Sequence, residues 1–342
     1  MARHWAAGLM AEAAPLLGVH FWNPARTPGY PVPTLFVEHV YTHPGGDRRR
    51  HWLDMAGRCG VLRDAGHRIL LKVKYRAGVD QPRTEAELDA YLHGLEALAP
   101  RFGGIDVTFG NEPNWRRSET EDPSVSPAWM ARVFNGAGTT SSNPWNALQV
   151  WRTHAGSPCR FFVTPTGPFA PRGGRPIAEV EQSPWARYTA EFWERCRDAA
   201  RTVWSRRFQG VALHAYARTG PDGRAHGGRH EPWRDPRDRL GRRWGSNVLQ
   251  TWDETLRAVG LARKPVIVAE YNARTDGPSS AAYPAGLLPN AFAYTCAVFG
   301  RRLEGLAWFV DANGDGHWRD EALTDGVGRM AEADTDFRRI WA

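Results

Sequence analysis

Short apolar and β-branched runs recur along this 342-residue chain, and the stretches between them return to apolar positions every three or four residues. The runs are LLGVHF (16–21), TLFVEHVY (34–41), RILLKVKY (68–75), IDVTFG (105–110), RFFVTP (160–165), GVALHAY (210–216), PVIVAEY (265–271) and LAWFV (306–310). Runs of this length bounded by turn formers read as strands. HWLDMAGRCGVLRDAG, TEAELDAYLHGLEALAPRF, SPWARYTAEFWERCRDAARTVW and SNVLQTWDETLRAVGL have helical spacing and begin near Asp, Ser or Thr caps. The segment 22–33 is rich in proline and glycine and has no such spacing, so the first two units are the least regular.

Strands alternating with helices imply a parallel sheet, and eight units fit a closed α/β barrel, a (β/α)8 TIM barrel, better than an open doubly wound sheet. No linker or internal repeat divides the chain, so residues 1–342 are expected to form a single domain. Two long connections, about 113–148 and 217–246, follow the fourth and sixth strands. In a barrel they lie at the C-terminal face, where active sites of this architecture are built.

Composition narrows the picture. With 42 % hydrophobic and 24 % charged residues the balance is globular, and no apolar run reaches the roughly 18 to 20 residues that cross a bilayer. No membrane partner is expected. The N-terminal stretch is interrupted by Glu12 and lacks a cleavage pattern, so no export signal is read there. Location stays open between cytoplasmic, phage-associated and trimmed secreted forms. Cys59, Cys159, Cys196 and Cys296 are widely spaced and read as mostly buried thiols. The formal charge is +7, yet only Lys72, Lys74 and Lys264 are lysines. So strong an arginine bias is a property of the whole composition, and nucleic acid is not expected as a partner. Neither a phosphate-binding glycine loop nor an HExxH or GxSxG motif is present, and no cofactor or metal is expected. Oligomeric state is not encoded.

The candidate chemistry lies at two strand ends. The fourth strand runs into Gly110-Asn111-Glu112-Pro113 and the seventh ends in Ala269-Glu270-Tyr271-Asn272. In a barrel, both glutamates converge on one cleft. Two carboxylates flanking a glycosidic bond suffice for hydrolysis, one protonating the leaving oxygen while the other attacks or activates water at the anomeric carbon.

These two motifs, NEPN after the fourth strand and VIVAEYN at the seventh, resemble the signatures of the clan A glycoside hydrolases, retaining (β/α)8 glycosidases. Their contexts are most similar to family 39, which includes β-xylosidases, α-L-iduronidases and bacterial exopolysaccharide hydrolases; families 5 and 53 are further relatives. The resemblance implies a carbohydrate substrate, Glu112 as acid/base, Glu270 as nucleophile and Asn111 as the amide that binds the sugar 2-hydroxyl. It further implies that His214 and Tyr216 form the His-x-Tyr beside the nucleophile, with Tyr216 donating to Glu270. The same glutamates would serve a transglycosylase, and a non-catalytic glycan-binding barrel is the reading from another class.

Other candidates are single residues. Trp308 on the eighth strand is a possible floor for the reacting sugar, and Trp115 and Trp22 are further aromatic candidates. His20 and His39 end the first and second strands, where hydroxyl contacts are expected. Lys72 and Lys74 share one face of the third strand. Lys74, nearer the mouth, is read either as a substrate contact or as half of a structural salt bridge. Segment 218–243 carries eight arginines against four acids, which suits an acidic glycan or simply a solvated loop. In DANGDG, Asp311, Asn313, Asp315 and Gly316 imitate the start of a calcium loop, but Ala322 stands where an EF-hand needs its bidentate glutamate. An Asn/Asp/Gly turn is the reading there, with an irregular calcium site near the cleft as the alternative.

Overall fold

The computed structural model describes residues 14–20, 30, 32–114, 125–140, 145–167, 184–216, 248–272, 286–309 and 331–341. Eight strands close into a parallel barrel in sequence order: β1 (Leu16–His20), β2 (Leu35–His43), β3 (Arg68–Arg76), β4 (Asp106–Phe109), β5 (Arg160–Thr166), β6 (Gly210–Tyr216), β7 (Val266–Asn272) and β8 (Leu303–Phe309). Each coincides with an expected run to within a few residues. β1 pairs with β8 through Leu16↔Gly305 to His20↔Phe309, which closes the ring.

The described helices are α1 (Arg48–Asp64), α2 (Glu85–Leu98), α3 (Pro127–Asn135), α4 (Ala147–His154), α5 (Pro184–Thr202), α6 (Val248–Ala258), α7 (Leu287–Phe299) and α8 (Ala331–Trp341). Their starts follow from capping chemistry: Asp47, Thr84, Ser126 and Asn146 each accept a bond from the first-turn backbone N–H three residues on. Within the long connection expected over about 113–148, α3 and the start of α4 are helical. Ser126 caps α3, Pro127 opens it and Gly136 ends it in the left-handed region. α3 also joins the helical layer, where the Asn135 side chain donates to the Cys196 carbonyl of α5 at 2.8 Å.

Most of the core lies between strands and helices and includes the fully buried Trp151, Trp193 and Trp252. A second, smaller cluster fills the barrel itself: Leu35, Val37, Leu70, Phe162, Ala212, Ile267, Ala269 and Ala307. Below it the barrel is floored by ions. Arg68 Nε and Arg160 Nε meet Asp106 at 2.6 and 2.7 Å, and both arginines also pair with Glu304. Above it comes a polar layer, in which His39 of β2 is in register with Lys72 of β3 and Lys72 with Thr108 of β4. That layer opens toward the C-terminal strand ends.

Candidate active site

Two local irregularities aim the glutamates. After β4 the backbone turns through left-handed conformations at Gly110 (φ 78°) and Glu112 (φ 38°). Glycine adopts this region freely, whereas at a glutamate it costs roughly 1–3 kcal/mol and is held only by surrounding structure. The holding bonds are Gly110 N–H to the Val73 carbonyl (2.8 Å), Asn111 N–H to Gln81 Oε1 (3.1 Å) and Glu112 N–H to the Pro165 carbonyl (2.9 Å). In β7 the register with β6 shifts, from Leu213↔Val268 to His214↔Glu270, so that one residue is gained. A β-bulge of this kind re-aims side chains. Ala269 packs in the barrel interior while the next residue, Glu270, reaches Lys72 and Tyr216.

Among the described residues the site is a connected set of contacts. Glu112, His214 and Glu270, all buried, present ligand atoms within 4.8 Å of one another, so an oxygen of each carboxylate lies within that distance of the other. Lys72 donates to Glu270 Oε1, to Asn111 Oδ1 at 3.1 Å and to His214 Nε2 at 3.0 Å. Tyr216 donates its hydroxyl proton to the other oxygen of Glu270. The opposite ring nitrogen of His214, Nδ1, is 2.6 Å from Glu112 Oε1. His20 Nε2 stands 3.5 Å from Glu270 Oε1. Two carboxylates and an imidazole are also the donors of a metal site, but here Lys72 supplies a positive charge of the protein's own among them.

The electrostatics act on Glu112 and on the histidines and lysine around it. Burial, and then the charge of Glu270, push Glu112 well above the ordinary carboxyl range, against the opposing pull of Lys72 and Lys74. Glu270 receives hydrogen bonds from the Lys72 ammonium and the Tyr216 hydroxyl. Burial, followed by the nearby lysines, drives His214, His20 and His39 far below the usual imidazole range, so all three are neutral. Burial pulls Lys72 down as well, and Glu270 opposes it.

Asn111, Glu112, His214, Tyr216, Glu270 and His20 therefore meet at one point, as the sequence places them. His39 is half-buried beside Tyr41, ring centroids 5.2 Å apart. Lys74 is buried and pairs with Asp80 at 2.7 Å, which is the salt-bridge alternative. Trp308 is a correction: it sits on the other side of the sheet. It is in register with Val19 and Tyr271, belongs with both to the cluster under the helices, and is fully buried. The aromatic facing His20 is its neighbour Phe309, at 5.1 Å between centroids. Trp115, Trp22, segment 218–243 and DANGDG lie outside the described residues. The residue that sequence reasoning undervalued is Lys72. The available signal was its place one strand repeat deeper than Lys74 on the same face.

No family model matches the chain, and no curated protein sequence does. Its likeness is to solved barrels. The catalytic domain of a GH26 endo-β-1,4-mannanase from Bacillus sp. JAMB-750 aligns over 96 % of this chain and 86 % of its own, at 9 % identity and a TM-score of 0.55. A double mutant of a Cellulomonas fimi endo-β-1,4-mannanase aligns over 89 % and 63 %, at 14 % identity and 0.52. A glucosidase from Croceicoccus marinus aligns over 88 % and 60 %, at 8 % identity and 0.50. The chain thus spans less than two thirds of the length of the last two. At these identities the likeness is one of fold.

Proposed function

We propose that this chain is a retaining O-glycoside hydrolase of the clan A type, acting on a poly- or oligosaccharide through Glu112 and Glu270. The observation that carries the reading is the pair itself: two buried carboxylates with oxygens within 4.8 Å of each other at the C-terminal end of a parallel barrel. Carboxyl groups about 5–5.5 Å apart suit double displacement, whereas inversion needs about 6.5–9.5 Å to admit a water. The barrels it resembles, two mannanases and a glucosidase by name, agree with a glycan substrate.

The roles follow from the surroundings. Glu112, kept protonated by burial and by the neighbouring negative charge, gives its proton to the departing oxygen. Glu270, bonded by Lys72 and Tyr216, attacks the anomeric carbon and forms a glycosyl ester. Glu112, now ionised, then takes a proton from water, which displaces Glu270 and releases the sugar. Asn111, with its carbonyl oxygen on Lys72, has an amide suited to the 2-hydroxyl of the sugar. The arginine-rich segment 218–243 favours an acidic glycan.

The test is turnover on a panel of neutral and acidic polysaccharides, with Glu112→Gln and Glu270→Gln as controls. Each variant is expected to lose several orders of magnitude in kcat while still binding substrate, and NMR of the first product is expected to show the anomer of the substrate. Activity that survives both substitutions, or an inverted first product, rejects the reading.

A further inference from the structure

The proton count around Lys72 has a consequence for Glu112, on the far side of His214. An ammonium carries three N–H donors and accepts nothing. Lys72 has three partners within hydrogen-bonding distance: Glu270 Oε1, Asn111 Oδ1 and His214 Nε2. His214 Nε2 must therefore present its lone pair. A neutral imidazole holds one proton, so in His214 that proton is on Nδ1, and Nδ1 faces Glu112 Oε1 at 2.6 Å. Oε1 is thus an acceptor, and the acidic proton of Glu112 is left to Oε2. The backbone of β6 is tied as well, since Trp252 of α6 donates its indole N–H to the His214 carbonyl at 3.1 Å.

We propose, resting on the glycosidase reading above, that Lys72 is the positioning residue of this site: its ammonium fixes His214 as the Nδ1–H tautomer and so confines the proton of Glu112 to Oε2, while it holds and orients Glu270. One buried cation then sets both halves of the reaction, the oxygen that delivers the proton and the carboxylate that attacks. It also turns the Asn111 amide so that oxygen meets the lysine. Lys72 itself is fully buried behind these groups, so it acts through them. The charged or titratable groups around it are Glu270 on β7, His214 on β6, Glu112 after β4, Lys74 on its own strand, His39 on β2 and His20 on β1.

The experiment has two arms. In the unmodified protein, 15N NMR of the imidazole rings at neutral pH, with His214 assigned by comparison with His214→Gln, is expected to show a protonated Nδ1 and an unprotonated Nε2. The opposite tautomer, or an imidazolium, overturns the proposal, and this arm does not depend on any Lys72 variant folding. In Lys72→Met, kcat is expected to fall by about 10²-fold with KM changed far less. His214 is expected to titrate at higher pH than in the parent, because a cation that opposes its protonation has gone. The pH–rate profile should move with it. Unchanged kcat and profile in folded Lys72→Met overturn the proposal while leaving the glycosidase reading intact. That reading falls separately, if Glu112→Gln and Glu270→Gln keep full turnover.

Discussion

A carboxyl group that stays protonated inside a folded protein has a stability consequence that is independent of any substrate. Glu112 is held well above its ordinary range by burial and by Glu270, whereas in the unfolded chain it ionises near pH 4.3. Its contribution to stability is therefore complete at pH values below the unfolded value. It is lost as the pH rises toward the folded value, because only the unfolded chain then releases the proton. Glutamine cannot ionise and keeps an oxygen for the His214 bond. Glu112→Gln is thus expected to be more stable than the parent at pH 7, with the difference closing toward pH 4, as read from urea midpoints at the two pH values. A variant that loses catalysis while gaining stability is the mark of a group placed for its chemistry. Among the residues of the site, Glu112 and Glu270 were legible in the sequence from their places at the ends of strands, and Asn111, His214 and Tyr216 through the resemblance of NEPN and His-x-Tyr to a known family. The role of Lys72 was not, since it arises from atoms supplied by β3, β6, β7 and the turn after β4, which only the closed barrel brings together.

At the level of elements, β3 shows how much a short run can encode. Its alternate residues, Arg68, Leu70, Lys72 and Lys74, rise through the barrel in order: ion floor, apolar layer, the layer of the candidate site, and mouth. The two-residue period makes that order readable once one face is known. In β8 the same logic failed. LAWFV is apolar at every position, so alternation does not set its phase, and Trp308 turned out to face the helices. α3 and α7 escaped for different reasons: α3 spans only nine residues within a long connection, and α7 is nearly all apolar with Pro289 near its start, so it displays no clear two-faced pattern. The turn after β4 is the element on which the site depends most. A Cβ on Gly110 would lie 2.8 Å from Gln81 Oε1, at a φ that disfavours side chains. Gln81 would have to leave the Asn111 N–H that it accepts from. Gly110→Ala is therefore expected to cost about 1–2 kcal/mol in denaturant unfolding and to lower kcat by misplacing Glu112, while substitution of a solvent-facing α2 residue does neither.

On the scale of the whole molecule, the barrel separates the groups that hold it closed from the groups proposed to react. Asp106, buried at the floor, accepts from Arg68 Nε at 2.6 Å and from Arg160 Nε and Nη2 at 2.7 and 2.9 Å. Glu304 completes the quartet across β8, so β3, β4, β5 and β8 are joined by charge at their N-terminal ends. Asp106 is buried, whereas Arg160 keeps 44 % of its side chain exposed and both arginines retain Glu304 as a partner, so losing the Asp106 charge leaves the arginines partly compensated. Asp106→Asn is expected to lower stability by about 1–3 kcal/mol, measured by denaturant unfolding. The polar layer of the candidate site should not register the change. Leu70 and Phe162 of the inner apolar cluster lie between the floor and Lys72, and both floor arginines stack toward the Phe162 ring, at 5.9 and 5.4 Å from its centroid. At a temperature where the variant stays folded, its kcat and pH–rate profile should match those of the parent. A shifted profile would mean that charge at the floor is felt at Glu112 through the apolar layer, and that the two ends of the barrel are electrostatically one site.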